Sequence, residues 1–225
     1  LNQKFGIENN VAFVAGEGGL PKIVVTNQVA TAELYLYGAH ITTFQPNGVK
    51  PVLWLSEKTP FQVGEAIRGG IPVIWPWFGP HATEGDKPSH GIARTSTWDV
   101  IATTALGDGQ TQVCLCLTDT EATQSLWPYP FRLELHVTIG QRLQVDLISY
   151  NTGSAPIEIT QALHTYFAVG DVTHISIEGL AGCDYLDKVT GYDRKVQQGP
   201  IQFSEEVDRI YVDTTAECVI VDPVL

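Results

Sequence analysis

Leu133-Glu-Leu-His-Val-Thr-Ile139, Gly140-Gln-Arg142, Leu143-Gln-Val-Asp-Leu147 is the run that decides the fold class. On both arms the odd positions are apolar and the even positions polar, and a short connection that begins with glycine separates them. Side chains alternate between the two faces of a strand, so the pattern describes a β-hairpin with one buried face. Outward from it, short alternating or β-branched runs recur at 23–25, 32–37, 52–55, 97–102, 112–117, 157–165, 174–178 and 218–221, with turn residues between them. No window keeps a 3.6-residue apolar period over a helical length. The expectation is an all-β chain, a large sandwich of antiparallel sheets.

The chain has 225 residues, 44% of them hydrophobic and 17% charged, which is the composition of a packed globular protein. No repeat, low-complexity tract or linker divides it, so a single domain over 1–225 is expected. With 13 basic and 25 acidic residues the formal charge is −12. That field repels a phosphate backbone, and nucleic acid is set aside as a partner. No apolar run reaches the roughly 18 residues of a membrane helix, and Leu1-Asn2-Gln3-Lys4 lacks the apolar stretch of a signal peptide. The expectation is a soluble, cytoplasmic protein. The four cysteines suggest neither a disulfide nor a metal site, and the six histidines show no ligand spacing, so no metal is expected.

Chemistry concentrates in three places. The longest stretch without a strand pattern, Val63 to His90, contains Arg68-Gly-Gly-Ile-Pro-Val-Ile-Trp-Pro-Trp-Phe-Gly-Pro80 and is followed by Gly91-Ile-Ala-Arg94. Only six arginines exist in the chain, and two of them flank this segment. A guanidinium fork suits phosphate or carboxylate, and Trp75, Trp77 and Phe78 offer flat faces for a sugar ring. The competing reading, tryptophans in the core and arginines in surface ion pairs, stands level with it. Second, alternation along Ile157 to Phe167 puts Ile157, Ile159, Leu163 and Phe167 on one face and Glu158, Thr160, Ala162, His164 and Tyr166 on the other. His164 thereby leaves the apolar face, although a lone strand histidine is more often an ordinary hydrogen-bonded residue. His40, His81, His136 and His174 carry only that ordinary reading. Third, Ser204-Glu-Glu-Val-Asp208-Arg-Ile-Tyr211 is a charge cluster in which Asp208 could accept hydrogen bonds from sugar hydroxyls.

Together with Trp127-Pro-Tyr-Pro-Phe131 and Leu163-His-Thr-Tyr-Phe-Ala-Val-Gly-Asp171, these segments resemble the hexose-6-phosphate mutarotases, or glucose-6-phosphate 1-epimerases, of the aldose 1-epimerase (galactose mutarotase-like) superfamily. The resemblance runs along nearly the whole chain. It implies a β-supersandwich that binds sugar on a concave sheet face, with Arg68 and Arg94 on the phosphate, His164 as the catalytic histidine and Asp208 on a sugar hydroxyl. His90 is expected at the site with a less defined role. Some members carry glutamine where Ser89 stands, and that contact is not transferred. The implied activity is interconversion of the α and β anomers of glucose 6-phosphate or a related sugar by acid/base ring opening and closure, with no cofactor. A histidine of ordinary pKa can exchange a proton at neutral pH, and each such group is typically worth about 10²–10⁴ in rate.

One departure stands out. The family's basic glutamate lies well beyond the segment matching Asp208-Arg-Ile-Tyr211, and no position of this chain matches it before Asp222-Pro-Val-Leu225. The sequence also holds no methionine. The expectation is a fragment that lacks the last strands of the sandwich, with strand edges left unpaired. The alternatives are the retained part of a processed chain and a naturally shortened sugar-phosphate binding or regulatory protein on the same scaffold. A purely structural β-sandwich is the third class of reading.

Overall fold

The structure is a computed structural model that describes residues 1–224. These residues group into two compact units, Leu1–Ala168 and the segment from Val169 onward. In the first unit a short α1 (Asn2–Phe5) precedes β1 (Val11–Ala15), β2 (Pro21–Thr26), β3 (Ala30–Tyr35) and β4 (His40–Pro46), which form an antiparallel sheet in the order β1-β2-β3-β4. After a two-residue strand, β5 (Val73–Ile74), a second antiparallel sheet is built from β6 (Asp99–Ala105), β7 (Thr111–Thr118), β8 (Phe131–Ile139) and β9 (Leu143–Asn151) in the order β6-β7-β8-β9. A helix, α2 (Glu121–Leu126), joins β7 to β8, and its start is closed by reciprocal hydrogen bonds between Thr120 and Thr123.

The hairpin read from the sequence is β8–β9. Leu135 pairs with Leu147, Val137 with Val145 and Ile139 with Leu143. Leu133, Leu135, Val137 and Ile139 are fully buried, each worth about 1.5–3 kcal/mol relative to exposure. They share one core with Ile23, Val25, Leu34 and Ile41 of the first sheet, which makes the unit a sandwich. On the outer face of β8, Glu134 binds Arg132 at 2.5 Å and His136 at 2.8 Å, so the polar positions of the pattern satisfy one another.

Three segments differ from expectation. The strand expected over 157–165 contains regular pairing only at β10 (Ala162–Leu163), against β5. Its partner segment is bounded by Pro72 and Pro76, which have no N–H to donate, so a continuous ladder cannot form there. Residues 52–55 make single bridges at Leu53 and Leu55 instead of a strand. The stretch expected as a long loop threads the core between Ile71 and Trp77, all of it buried.

The second unit carries two three-stranded sheets. β11 (Ser176–Glu178), β12 (Asp184–Asp187), β13 (Asp193–Val196), β14 (Ile201–Gln202), β15 (Arg209–Tyr211) and β16 (Val219–Val221) assemble as β14-β11-β16 and β13-β12-β15. Several of these strands are short and charged, which is why alternation in the sequence did not mark them.

Candidate active site

Residues 70–76 and 160–166 run antiparallel in one register. The N–H of Thr160 donates to the Pro76 carbonyl at 2.9 Å, that of His164 to Pro72 at 3.1 Å and that of Tyr166 to Gly70 at 2.9 Å. Between them Ala162 pairs with Ile74 and Leu163 with Val73. Leu163 packs against the core, so Ala162, His164 and Tyr166 share the opposite face. The backbone of the proline-rich segment, through its carbonyls, therefore aims the histidine.

Arg68 leads into the same segment. Its N–H donates to Thr59 Oγ1 at 2.7 Å, its carbonyl accepts from Ser56, and the N–H of Gly70 donates to the Trp54 carbonyl. Gly70 has φ +61°, and a Cβ there would lie 2.2 Å from the Ile41 carbonyl oxygen, so only glycine lets the turn press onto β4. Beneath the turn, His40 at the start of β4 is 1% exposed and its Nε2 lies 2.8 Å from the Gly69 carbonyl oxygen. Burial lowers its pKa to about 4, so the ring is neutral at pH 7 and Nε2–H is the donor.

Arg94 is placed by the motif that begins at His90. Gly91 has φ +75°, and a Cβ there would meet the Trp75 carbonyl oxygen at 2.0 Å. The same oxygen accepts the N–H of Ile92 at 2.9 Å. This close crossing delivers Arg94, whose Nη2 donates to the Ser89 carbonyl at 2.7 Å. Burial lowers the Arg94 pKa from its ordinary value; Tyr166 opposes that shift and the charge of Arg68 adds to it. Arg132 and Arg194 each hold a carboxylate, whereas among the described residues neither Arg68 nor Arg94 enters an ion pair. Both instead line a cavity of about 350 Å³, together with Glu65, Ser89 and Tyr166.

From that cavity a line of aromatic rings leads outward. Tyr166 lies 6.0 Å from Trp54 and 5.0 Å from His164; His164 lies 6.1 Å from His90, and His90 5.0 Å from Phe78. His90 adopts φ +67°, a left-handed conformation secured by two bonds to Gly79: the His90 N–H donates to the Gly79 carbonyl, and Nδ1 accepts the Gly79 N–H at 3.1 Å. With Nδ1 occupied as an acceptor, a neutral His90 carries its proton on Nε2.

The structure thus brings Arg68, His90, Arg94 and His164 onto one unit and one face. Asp208 lies in the second unit just before β15, where its carboxylate binds the Lys188 ammonium and its carbonyl accepts the Lys188 N–H. Of the two readings of the aromatic segment, the tryptophans go to the core: Trp75 is 1% and Trp77 9% exposed. The arginines do not go to surface ion pairs. Beside the candidate site Trp54, Phe78 and Tyr166 are exposed, and Phe167, expected on the apolar face, is half exposed. Tyr166 could have been picked out, since it follows His164 by one alternation on the polar face. His40 had no such signal, because its partner is 29 residues away in sequence. Among the described residues no His, Cys, Asp or Glu group is arranged to hold a metal ion, and no helix is long and apolar enough to cross a membrane.

The pattern of the aldose 1-epimerase family matches residues 21–224. The chain belongs to the aldose 1-epimerase family. A relative from Escherichia coli strain K12, provisionally named glucose-6-phosphate 1-epimerase, is 41% identical over 207 residues, covering 92% of this chain and 68% of that protein. A similarly named protein from the grass Cenchrus ciliaris is 35% identical and is covered over 64% of its length. Among solved structures, a protein of Salmonella typhimurium, provisionally named a mutarotase, superposes with a TM-score of 0.90 at 34% identity, covering 98% of this chain and 72% of that one. Galactose 1-epimerase from Lactobacillus acidophilus superposes with a TM-score of 0.69 at 15% identity, a likeness of fold. The all-β, galactose mutarotase-like architecture and the epimerase class expected of this aldose 1-epimerase family member both agree with these matches.

Proposed function

We propose that this chain binds an aldohexose 6-phosphate, glucose 6-phosphate in the first instance, and carries the acid and the anion clamp for exchange of its α and β anomers. The observation that carries the reading is the cavity lined by Arg68 and Arg94, which have no carboxylate partner among the described residues, and by a tyrosine whose ring packs on His164. Phosphate is the natural occupant of two converging guanidinium groups in an otherwise acidic protein.

Chemistry selects the position of the phosphate. A 1-phosphate has no free anomeric hydroxyl and cannot open its ring. In a 6-phosphate the phosphate arm hangs from C5, the carbon bonded to the ring oxygen, so an anion pocket beside an acid places that acid near the ring oxygen. His164 donates a proton to this oxygen as the C1–O5 bond breaks, while the C1 hydroxyl loses its proton to a base and C1 becomes the aldehyde. Rotation about C1–C2 presents the other carbonyl face. On closure His164 takes the proton back from the O5 hydroxyl as O5 attacks C1, and the base returns its proton to the carbonyl oxygen, so the cycle is neutral in protons and uses no cofactor. The base has no matched position in residues 1–225. Asp208 remains, by family resemblance, a ligand for a sugar hydroxyl.

The test is exchange of magnetisation between the two anomeric protons of glucose 6-phosphate by NMR, with calorimetric titration of the same sugar alongside. Accelerated exchange supports the enzyme. Binding without exchange assigns the chain to sugar-phosphate recognition alone, and absence of both overturns the reading.

A further inference from the structure

Tyr166 occupies a position that neither half of the proposed mechanism uses. Its ring lines the arginine cavity and at the same time lies 5.0 Å from His164, with an interplanar angle of 35°. Trp54, whose N–H donates to the Tyr166 carbonyl, lies at 6.0 Å and 36°, so the phenol has both an indole and an imidazole as ring neighbours. Its backbone is fixed from both sides: the N–H donates to Gly70, two residues after Arg68, and the carbonyl accepts from Trp54. The ring is nonetheless 37% exposed and Trp54 47% exposed, so both present surface to an incoming molecule. The phenol is also near enough to Arg94 to counter the effect of burial on that guanidinium. One side chain therefore touches both the anion pocket and the acid.

We infer that Tyr166 is the specificity-determining residue of the site, a rigid spacer that makes an aldose bearing its phosphate on the carbon beyond the ring fit better than phosphate alone or a shorter sugar phosphate. This rests on the proposed binding of a hexose 6-phosphate. A ligand anchored at Arg68 and Arg94 has to cross the phenol to present its ring oxygen to His164. An aromatic ring has only two side-chain torsions, and here two neighbouring rings limit them, so its width is a fixed length and not an adjustable one. A six-carbon sugar has the phosphoester and the C5–C6 bond to bridge that width while its C–H face lies on Tyr166 and Trp54. Inorganic phosphate satisfies the arginines and leaves the aromatic surface wet. In a pentose 5-phosphate the furanose ring carries the same one-carbon arm but offers a smaller apolar face.

The experiment is calorimetric titration of the protein and of its Tyr166→Phe and Tyr166→Leu variants with glucose 6-phosphate, ribose 5-phosphate and inorganic phosphate. The reading predicts at least a tenfold preference for glucose 6-phosphate over inorganic phosphate in the parent. That ratio should fall about tenfold in Tyr166→Leu and less than threefold in Tyr166→Phe, which keeps the ring. The preference over ribose 5-phosphate should shrink in the same order. Thermal melting checks that each variant folds, and Tyr166→Phe, the milder change, still tests ring against hydroxyl. If the three affinities weaken in proportion in Tyr166→Leu, Tyr166 only shapes the arginine pocket and the inference is wrong. It is equally wrong if Tyr166→Phe loses selectivity as fully as Tyr166→Leu, since the hydroxyl would then be the discriminator. A parent that binds glucose 6-phosphate no better than inorganic phosphate overturns the inference directly, and one that binds neither overturns the underlying hexose-phosphate reading with it.

Discussion

The Nε2 of His40 donates to the carbonyl oxygen of Gly69 at 2.8 Å, so a fully buried neutral histidine supports the turn that carries Arg68. Its other ring nitrogen, Nδ1, is buried with no hydrogen-bond partner among the described residues. Protonation would add a charge in a buried site close to the Arg94 guanidinium, and burial accordingly lowers the pKa from 6.5 to about 4.

The direction of the pH effect follows from that shift. The unfolded chain takes up the His40 proton near pH 6.5 and the folded chain only near 4, so the unfolded state binds more protons between those values. Stability is therefore insensitive to this group above about pH 6.5 and is lost as pH falls towards 4, by about 3 kcal/mol in total. Urea unfolding at stepped pH should show a shallower acid loss in His40→Asn than in the parent. Parallel curves would remove His40 from the account.

Replacing His164 by alanine should slow anomer exchange of glucose 6-phosphate by about 10²–10⁴ while changing its dissociation constant by only a few fold, because the arginines remain. NMR exchange measured beside calorimetry separates the two effects. Exchange that persists in His164→Ala would place the acid elsewhere.

Arg68→Ala and Arg94→Ala should each weaken glucose 6-phosphate binding by roughly tenfold to a hundredfold, the range expected for one charge-assisted contact. The Lys replacement should recover only part of the loss, since a point charge cannot reproduce the fork. Titrations at low and high salt provide the check, and an affinity untouched by either alanine variant would exclude the cavity as the phosphate site.

Leu135→Ala in β8 should cost about 2–5 kcal/mol in urea unfolding, as truncation of a fully buried leucine does. Gly91→Ala should destabilise as well, since φ is +75° and the added Cβ would sit 2.0 Å from the Trp75 carbonyl oxygen. Wild-type stability in either variant would contradict the packing described.

How far the sequence reveals this molecule depends on the range of the interactions. The β8–β9 hairpin is local and alternates cleanly, so it is legible, and so is the shared face of His164 and Tyr166. Arg68 and Arg94 stand out because arginine is scarce and both border one aromatic segment. The burial of Trp75 and Trp77 is not legible, since a flat ring suits a core and a sugar equally well. Nor is the role of His40, which depends on a turn pressed against β4 from a distant part of the chain. In the second unit β11 and β16 fall in runs read from the sequence, whereas β12, β13 and β15 escape notice because they are short and carry charges that pair across the sheet, as Asp184 does with Arg194.

The antiparallel register between residues 70–76 and 160–166 sets a rule for remodelling the site. Tyr166 lines the arginine cavity and His164 shares its face because each is an even step along one segment, held to fixed carbonyls on the other. Point changes on the exposed side leave that spacing intact. A single inserted or deleted residue within either segment would turn the imidazole and the phenol towards the core together and disconnect acid from anchor. Variation in length belongs in the solvent-exposed tip at 82–86, where no paired backbone has to stay in step.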